Sequence, residues 1–336
     1  MTHSTVRLQR DKIDQSSTTG VLNYLQESTA PSLYRNGKVL MRRDANGDDG
    51  DMQGVIPSST KMRILNARDL GTDKRPTLSH SGFELLERPN NIRNLDFFDQ
   101  QQVVGDYYSS CSHIIEAATG GRAYAFDHNV RSVQGKSSQK TILGGQAVQA
   151  PLHFVHGDYT LTSAPQRLRD LTNPPGSNDT LRSALANNES LLLHEEVEKA
   201  LSDGGRFAII NLWRNISAEP VATHPLALCD SQSVNPEDLV VFEIHYQDRI
   251  GENYFARHAN GHQWFYYPQM TTDEALLIKQ WDSAGSMARS RGKQGDAGDP
   301  HAPSTFSFHS AFDDASAPPD APDRSSIEVR CIVIYD

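Results

Sequence analysis

The stretch Leu152-His153-Phe154-Val155-His156-Gly157-Asp158-Tyr159-Thr160 carries residue types that can hold a metal ion. Its apolar start reads as a strand. Side chains on a strand alternate faces, so His156 and Asp158 point the same way. Gly157 between them lets the backbone bend. An imidazole and a carboxylate so placed are two corners of a 2-His-1-carboxylate triad, which holds non-haem Fe(II) and leaves positions open for cosubstrate and oxygen. An H-x-D triplet alone is weak evidence, because most are surface residues. The C-terminal part must supply the rest.

It offers His309, in the aromatic run Thr305-Phe306-Ser307-Phe308-His309-Ser310-Ala311-Phe312. A lone histidine on an apolar strand is more often a hydrogen-bonded core residue. Its pairing with an upstream H-x-D makes it the candidate third ligand. Asp323 to Ile334 follows and brings two arginines. In iron/2-oxoglutarate oxygenases an arginine after the distal histidine grips the far carboxylate of 2-oxoglutarate, and guanidinium suits this through two parallel charge-assisted hydrogen bonds. Arg324-x-Ser326 matches an R-x-S pattern. Arg330 sits inside an apolar strand, where a guanidinium needs a buried anion. Alternation puts Arg324, Ser326, Glu328, Arg330, Ile332 and Ile334 on one face. Arg330 is slightly preferred, with Ile332 and Ile334 lining the substrate side. The competing reading is a structural Arg330–Glu328 pair. Trp213 and Arg214 are weaker pocket candidates, since aromatic residues on strands are usually core and Arg214 could close an ion pair. In Asp127-His128 the neighbours face opposite ways, which reads as a hydrogen-bonded strand end.

The elements that must position these groups follow from periodicity. Residues 1 to about 20 are polar and read as a frayed tail. Asp44 to Asp51 fails as a calcium loop, with Asp49 where glycine is needed and Val55 where glutamate is needed, and reads as an acidic turn. Lys61 to Ala67 reads as a short strand. Asp96 to about Ala118 predicts a helix, capped by Asp96 and stopped by Gly120-Gly121. Strands are expected at 122–129, 151–156, 206–214 and 238–246, and short helices from Ser163 and near 188–202. Asn253–His258 and Gln263–Tyr267 read as a hairpin across Asn260-Gly261. Thr271-Thr272-Asp273-Glu274 reads as a capping box opening a helix through Trp281. The Gly/Ser/Asp/Pro-rich 283–304 reads as a mobile loop. Two final strands close the chain. The fold class expected is mainly β with helical decoration on a double-stranded β-helix (jelly-roll) core, as one domain over 21–336.

Composition bounds the function. The 336 residues carry a net charge of −10 without a basic run, which argues against a nucleic-acid partner. No apolar run reaches membrane-spanning length, and no signal peptide is evident at the start. Cys111, Cys229 and Cys331 are odd in number and far apart, which suggests reduced thiols and a cytoplasmic setting.

As a set, the segments resemble the fungal and actinomycete hydroxylase/desaturase family of secondary metabolism, of the AsaB, CmcJ and gibberellin-desaturase type. They are Gly82–Leu85, Phe126–Arg131, Val155–Thr160, Asn211–Arg214, Pro225–Asp230, His262–Tyr267, Met270–Glu274, His309–Phe312 and Arg324–Arg330. One departure is Asn215 after Trp213-Arg214, where the family pattern has proline. The resemblance implies a double-stranded β-helix, Fe(II), 2-oxoglutarate and O2. His156, Asp158 and His309 would hold iron; Arg330 or Arg324, with Ser326, would hold 2-oxoglutarate. The implied reaction is attack on a C–H bond of a small-molecule intermediate: hydroxylation, desaturation or ring closure such as aziridine formation. Two rivals are a methyltransferase-like pathway component and a metal-free jelly-roll binding protein. Glycine pairs at 120–121, 144–145 and 204–205 lack the full pattern the first would want. Substrate and oligomeric state are not legible.

Overall fold

Arg206–Asn215 is buried on both faces, without a break from Phe207 to Asn215. A strand with no wet face must lie inside a sheet that is covered on both sides. This one is the middle strand of a five-stranded sheet. The computed structural model describes residues 17–43, 49–88, 95–137, 142–143, 148–176, 179–186, 188–246 and 249–336.

The described strands, in chain order, are β1 (Ser17–Leu25), β2 (Leu40–Arg43), β3 (Asp49–Gln53), β4 (Pro57–Asn66), β5 (Phe83–Glu87), β6 (Arg122–Ser132), β7 (His156–Gly157) and β8 (Arg206–Asn215). They continue with β9 (Leu226–Cys229), β10 (Leu239–His245), β11 (Ile250–Ala256), β12 (Trp264–Tyr266), β13 (Glu274–Asp282), β14 (His309–Ala311) and β15 (Ser325–Tyr335). The smaller sheet runs β5-β13-β8-β15-β6, and the larger runs β1-β4-β12-β9-β14-β7-β11-β10-β2-β3. Strands distant in sequence lie side by side, as a jelly roll requires. The main core is built from both sheets, including Leu22, Tyr254, Trp264, Phe308, Ile209 and Ile332.

The long helical signal is present in three joined pieces, Gln100–Gln102, a π turn at Val103–Tyr107, and Tyr108–Thr119. Asp99, not Asp96, caps it by accepting from the Gln101 and Gln102 amides. Asp96 instead turns the chain just before, accepting from Phe98 N. Gly120 ends the helix at φ 74°, a conformation open to glycine. Ser163–Asp170 and His194–Leu201 are helices as expected, the second starting later than the apolar pattern suggested.

Three sequence readings give way. The expected helix after Thr271 is strand β13, paired with β5 and β8. The capping turn itself exists, since Thr271 N donates to Glu274, but Glu274 also grips Arg68 through two hydrogen bonds. The apolar run Ala275–Ile278 that follows is buried on both faces, and tertiary burial outweighs a local cap worth about 1 kcal/mol. The hairpin across Asn260-Gly261 is absent: β11 pairs with β10 and β7, and β12 with β4 and β9. The tail is shorter than expected, because Ser17 already pairs with Leu65; residues 1–16 lie outside the described residues, as do 44–48 of the expected acidic turn. The stretch 283–304 carries the short helix Ser286–Arg289 and the buried Asp296, which accepts from Met287 N and Thr305 N and Oγ1. Cys111, Cys229 and Cys331 are all free and buried.

Candidate metal centre

Two neighbouring strands of the larger sheet bring the histidines together. β14 runs antiparallel to β7 with His309 directly opposite His156. Directly opposed residues share a face and sit within side-chain contact; the two rings lie 4.2 Å apart between centroids. Gly157 occupies the space between His156 and Asp158 for a reason other than bending. A Cβ there would come within 3.0 Å of the Phe306 ring. Asp158 then turns its side chain back to the histidines.

The donor atoms converge. His156, Asp158 and His309 each offer one ligand atom, all within 4.8 Å of one another. His156 Nδ1 lies 2.8 Å from the Phe154 carbonyl. A carbonyl can only accept, so Nδ1 carries the proton and Nε2 presents its lone pair. His309 Nδ1 leans toward the Ser307 carbonyl without a well-aligned bond. Asp158 divides its two oxygens. Oδ2 accepts from Asn211 Nδ2 at 3.1 Å and from Arg330 Nε at 3.3 Å. Oδ1 faces His156 Nε2 at 3.6 Å and His309 Nε2 at 4.0 Å. Those two gaps are too long for hydrogen bonds. They suit three ligands arranged around an ion.

The electrostatics agree. Burial, then neighbouring His309, lowers the His156 pKa to about 4, so the ring is neutral at physiological pH. Burial also lowers that of His309. Burial alone would raise Asp158, but the Arg330 guanidinium and the hydrogen bond from Asn211 hold it well below the usual carboxylate range. Two neutral imidazoles and one carboxylate are what a divalent cation takes as ligands.

A narrow cleft adjoins the triad, lined by Arg131, Leu152, His156, Trp213, Leu226, His309, Ala311, Arg324 and Glu328. A larger, open depression at Arg68 and Glu274 holds no such ligand set. The two arginines singled out from the sequence part company here. Arg330 does not line the cavity. Its guanidinium is spent on three carboxylates, Asp127 at 2.9 Å, Asp158 at 3.3 Å and Glu328 at 3.4 Å, and with its amide oxygen turned inward Asn129 adds to them. Burial opposes its charge, but those carboxylates keep its pKa well above the ordinary arginine value. The structural pair of Arg330 with Glu328, the competing reading, is present and extends to Asp127 and to the metal-ligand candidate Asp158.

Arg324 is the opposite case. It is 3 % exposed. Its Nη1 donates to the His224 carbonyl at 2.5 Å, its backbone N to Thr223 Oγ1, and its guanidinium lies over Trp213 at 5.5 Å. Its Nε has no partner, and neither does Ser326 Oγ. Burial, then neighbouring Arg131, lowers its pKa to about 9. Ile332 and Ile334 share the face of Arg330, but they are filled into the main core and do not line the cavity. Trp213 does line it. Arg214 does not: it is buried on the other face of β8, donating to Tyr107 and to the Arg88 and Thr272 carbonyls. Asp127-His128 matches its structural reading, with His128 against the Tyr108 hydroxyl and Asp127 on Arg330 and Thr180.

Sequence reasoning missed Arg131 and Asn211. Arg131 pairs in register with Ser326, and Asn211 with Arg330. Alternation along β6 would have placed Asp127, Asn129 and Arg131 on one face, but nothing in the sequence says which strands flank β15.

Comparison with known proteins follows the same lines. The family model described as "Oxidoreductase/YMDC permease-like domain" matches residues 22–187 and 177–334. An uncharacterized protein in the dcmA 3'region of Methylophilus leisingeri is 41% identical over 196 residues, 58% of this chain and 89% of that one. The Fe(II)/2-oxoglutarate-dependent dioxygenase nvfI of Aspergillus novofumigatus is 28% identical over 262 residues, 76% and 77% of the two chains. Among solved structures, the iron and alpha-ketoglutarate-dependent endoperoxidase NvfI superposes with TM-score 0.70 at 22% identity, covering 95% of this chain and 98% of that one.

Proposed function

The chain belongs to the oxidoreductase/YMDC permease-like domain family, and we propose that within it His156, Asp158 and His309 hold Fe(II) while Arg324 and Ser326 grip 2-oxoglutarate. The activity is that of an Fe(II)/2-oxoglutarate-dependent oxygenase of secondary metabolism, acting on a small-molecule substrate. The relatives' names support this: besides nvfI they include a hydroxylase/desaturase, poxK, of Penicillium oxalicum and an alpha-ketoglutarate-dependent dioxygenase, phiK. The methyltransferase-like and metal-free readings lack such support. Among the described residues no helix is long and apolar enough to cross a membrane.

The observation that carries the site assignment is the meeting of three donor atoms, within 4.8 Å, beside a buried guanidinium with an unpartnered nitrogen. A guanidinium this buried needs an anion, and the cavity provides none in direct contact. The far carboxylate of 2-oxoglutarate would supply one, leaving its keto-acid end toward the histidines. Ser326 Oγ would add a donor, and Arg131 a second positive charge across the register.

When bound, the iron and 2-oxoglutarate pair supplies the oxidising power for hydrogen removal from carbon. The protein's own part is orientation and electrostatics. Arg330 and Asn211 hold Oδ2 of Asp158 so that Oδ1 alone faces the metal position. Phe154 fixes the tautomer of His156. Trp213 stacks beside Arg324 and walls the cavity. Whether the product is hydroxylated, desaturated or cyclised depends on which substrate carbon these walls present. The test is to load the metal-free chain anaerobically with Fe(II) and 2-oxoglutarate, then measure bound iron and succinate release on admitting oxygen. One iron per triad and succinate formation are expected, and both should vanish in His309→Ala. Undiminished iron binding in that variant would refute the ligand assignment.

A further inference from the structure

A second group of metal-ligating side chains lies apart from the triad. His153, His224 and Asp313 each offer one ligand atom, and these atoms lie within 4.8 Å of one another. His153 Nε2 is 3.1 Å from His224 Nδ1, and His224 Nδ1 is 3.0 Å from Asp313 Oδ1. The two rings meet edge to face at 83°.

One nitrogen, His224 Nδ1, stands at hydrogen-bond distance from both of the other groups. A neutral ring nitrogen is either a donor or an acceptor. If His224 Nδ1 accepts from His153 Nε2–H, its lone pair also faces the Asp313 carboxylate at 3.0 Å, which is repulsive. If Nδ1 carries the proton, its one N–H is shared between a carboxylate and an imidazole, so neither bond is well made. A cation among them would take the place of that shared proton, because all three atoms can present lone pairs to it. The spacing is right: two ligands at the 2.0–2.1 Å bond length of zinc are roughly 3.3 Å apart in a tetrahedral site. His224 also sits at φ 46°, in the left-handed region.

We propose that His153, His224 and Asp313 form a second metal site, for a divalent ion of the zinc class, with two imidazoles and one carboxylate as ligands and a fourth position open to solvent. Asp313 is largely exposed and His224 half-buried, so the ion can reach the site from outside. Its place in the chain gives it a purpose. His153 stands three residues before His156, and Asp313 four residues after His309. The His224 carbonyl is the acceptor that holds Arg324. An ion here ties together the two segments that bring in the histidines and fixes the carbonyl that aims the guanidinium. Metal capture does not depend on the oxygenase reading; the effect on Arg324 does.

The experiment is a metal count. The full-length chain, stripped of metal, is equilibrated with Zn(II) alone, freed of loose ion and assayed by elemental analysis. Two zinc ions are expected in the unmodified chain and one in Asp313→Asn, whose exposed position puts folding at little risk. His224→Asn, with a residue that tolerates left-handed backbone, should also hold one. His309→Ala should hold one, and His309→Ala combined with His224→Asn none. Affinity at the second site should fall in Asp313→Asn by more than the roughly 10- to 100-fold that follows loss of a ligand's outer partner. One zinc in the unmodified chain, lost in His309→Ala and kept in His224→Asn, overturns this proposal and leaves the first site standing. One zinc lost in His224→Asn and kept in His309→Ala supports it and overturns the first.

Discussion

Replacing Arg324 by methionine separates the two arginines by a measurable margin. The guanidinium is 3 % exposed, its Nε is unpartnered, and it lies beside the triad's cavity. Truncating one partner of a buried, hydrogen-bonded charge pair costs about 2–5 kcal/mol. At tenfold per 1.4 kcal/mol this weakens 2-oxoglutarate binding by roughly 30-fold to several thousandfold. The fold should tolerate the change, because Arg324 balances no carboxylate in direct contact and the methionine chain fills similar volume. Arg330→Met should behave oppositely. It strands the carboxylates of Asp127, Asp158 and Glu328, and breaking a buried pair costs about 3–5 kcal/mol of stability. The assay is 2-oxoglutarate titration of the Mn(II)-loaded protein, followed by calorimetry and by tryptophan emission, since Trp213 lies 5.5 Å from Arg324. Urea unfolding of the same variants supplies the stability arm. The reasoning fails if Arg324→Met binds 2-oxoglutarate within twofold of the unmodified protein while a folded Arg330→Met does not.

Gly157→Ala should cost about 1–3 kcal/mol through overpacking against Phe306, whose ring would meet the new Cβ at 3.0 Å; a lowered melting temperature with weaker metal retention is the expected readout. Asp282 is buried between Lys279 and Arg206, so Asp282→Asn should cost about 3–5 kcal/mol in urea unfolding near neutral pH. The pH dependence follows from sign: burial would raise the Asp282 pKa, but Lys279 and Arg206 hold it below the ordinary value. Its contribution is therefore complete above the unfolded carboxylate pKa and lost as pH falls through the folded one, and Asp282→Asn should flatten that acid limb. Leu277→Ala, in the fully buried part of β13, should cost about 2–5 kcal/mol; a much smaller loss would count against the central placement of this strand.

The triad was legible because its chemistry is local in type if not in position. Strand alternation suggested a shared face for His156 and Asp158, although Asp158 lies just past the end of β7, and His309 needs only an aromatic strand to be buried. What could not be read was pairing. β13 carries a capping box and Leu, Ile and Trp that suit either element; its strand state comes from β5 and β8 on either side, and both lie far away in sequence. The same holds for the arginines. Arg324 lies one residue before β15 and Arg330 within it, and only the registers with β6 and β8 decide which meets anions. Asp127 lands opposite Arg330, and Arg131 opposite Ser326. Asn215, where the family pattern has proline, shapes its turn by side chain instead, donating to the Glu219 and Met270 carbonyls and accepting from Ser217 N.

Register also explains why the site tolerates so short a pair of strands. β7 has two residues and β14 three, and an isolated pair of that length is marginal at best. They persist because β11 and β9 flank them. His156 and His309 are thereby fixed opposite each other, with freedom left only at their ring torsions, and one of those is set by the Phe154 carbonyl. The carboxylate ligand needs another device, because Asp158 lies just past the strand end. Its backbone N donates to Gln280 Oε1 and its Oδ2 accepts from Asn211, so the smaller sheet holds it from across the roll. Two proposed ligands set by one sheet and the third by the other make the triad a gauge of how the sheets face one another. A change that slides β8 or β13 should therefore loosen metal binding through Asp158 before it disturbs either histidine.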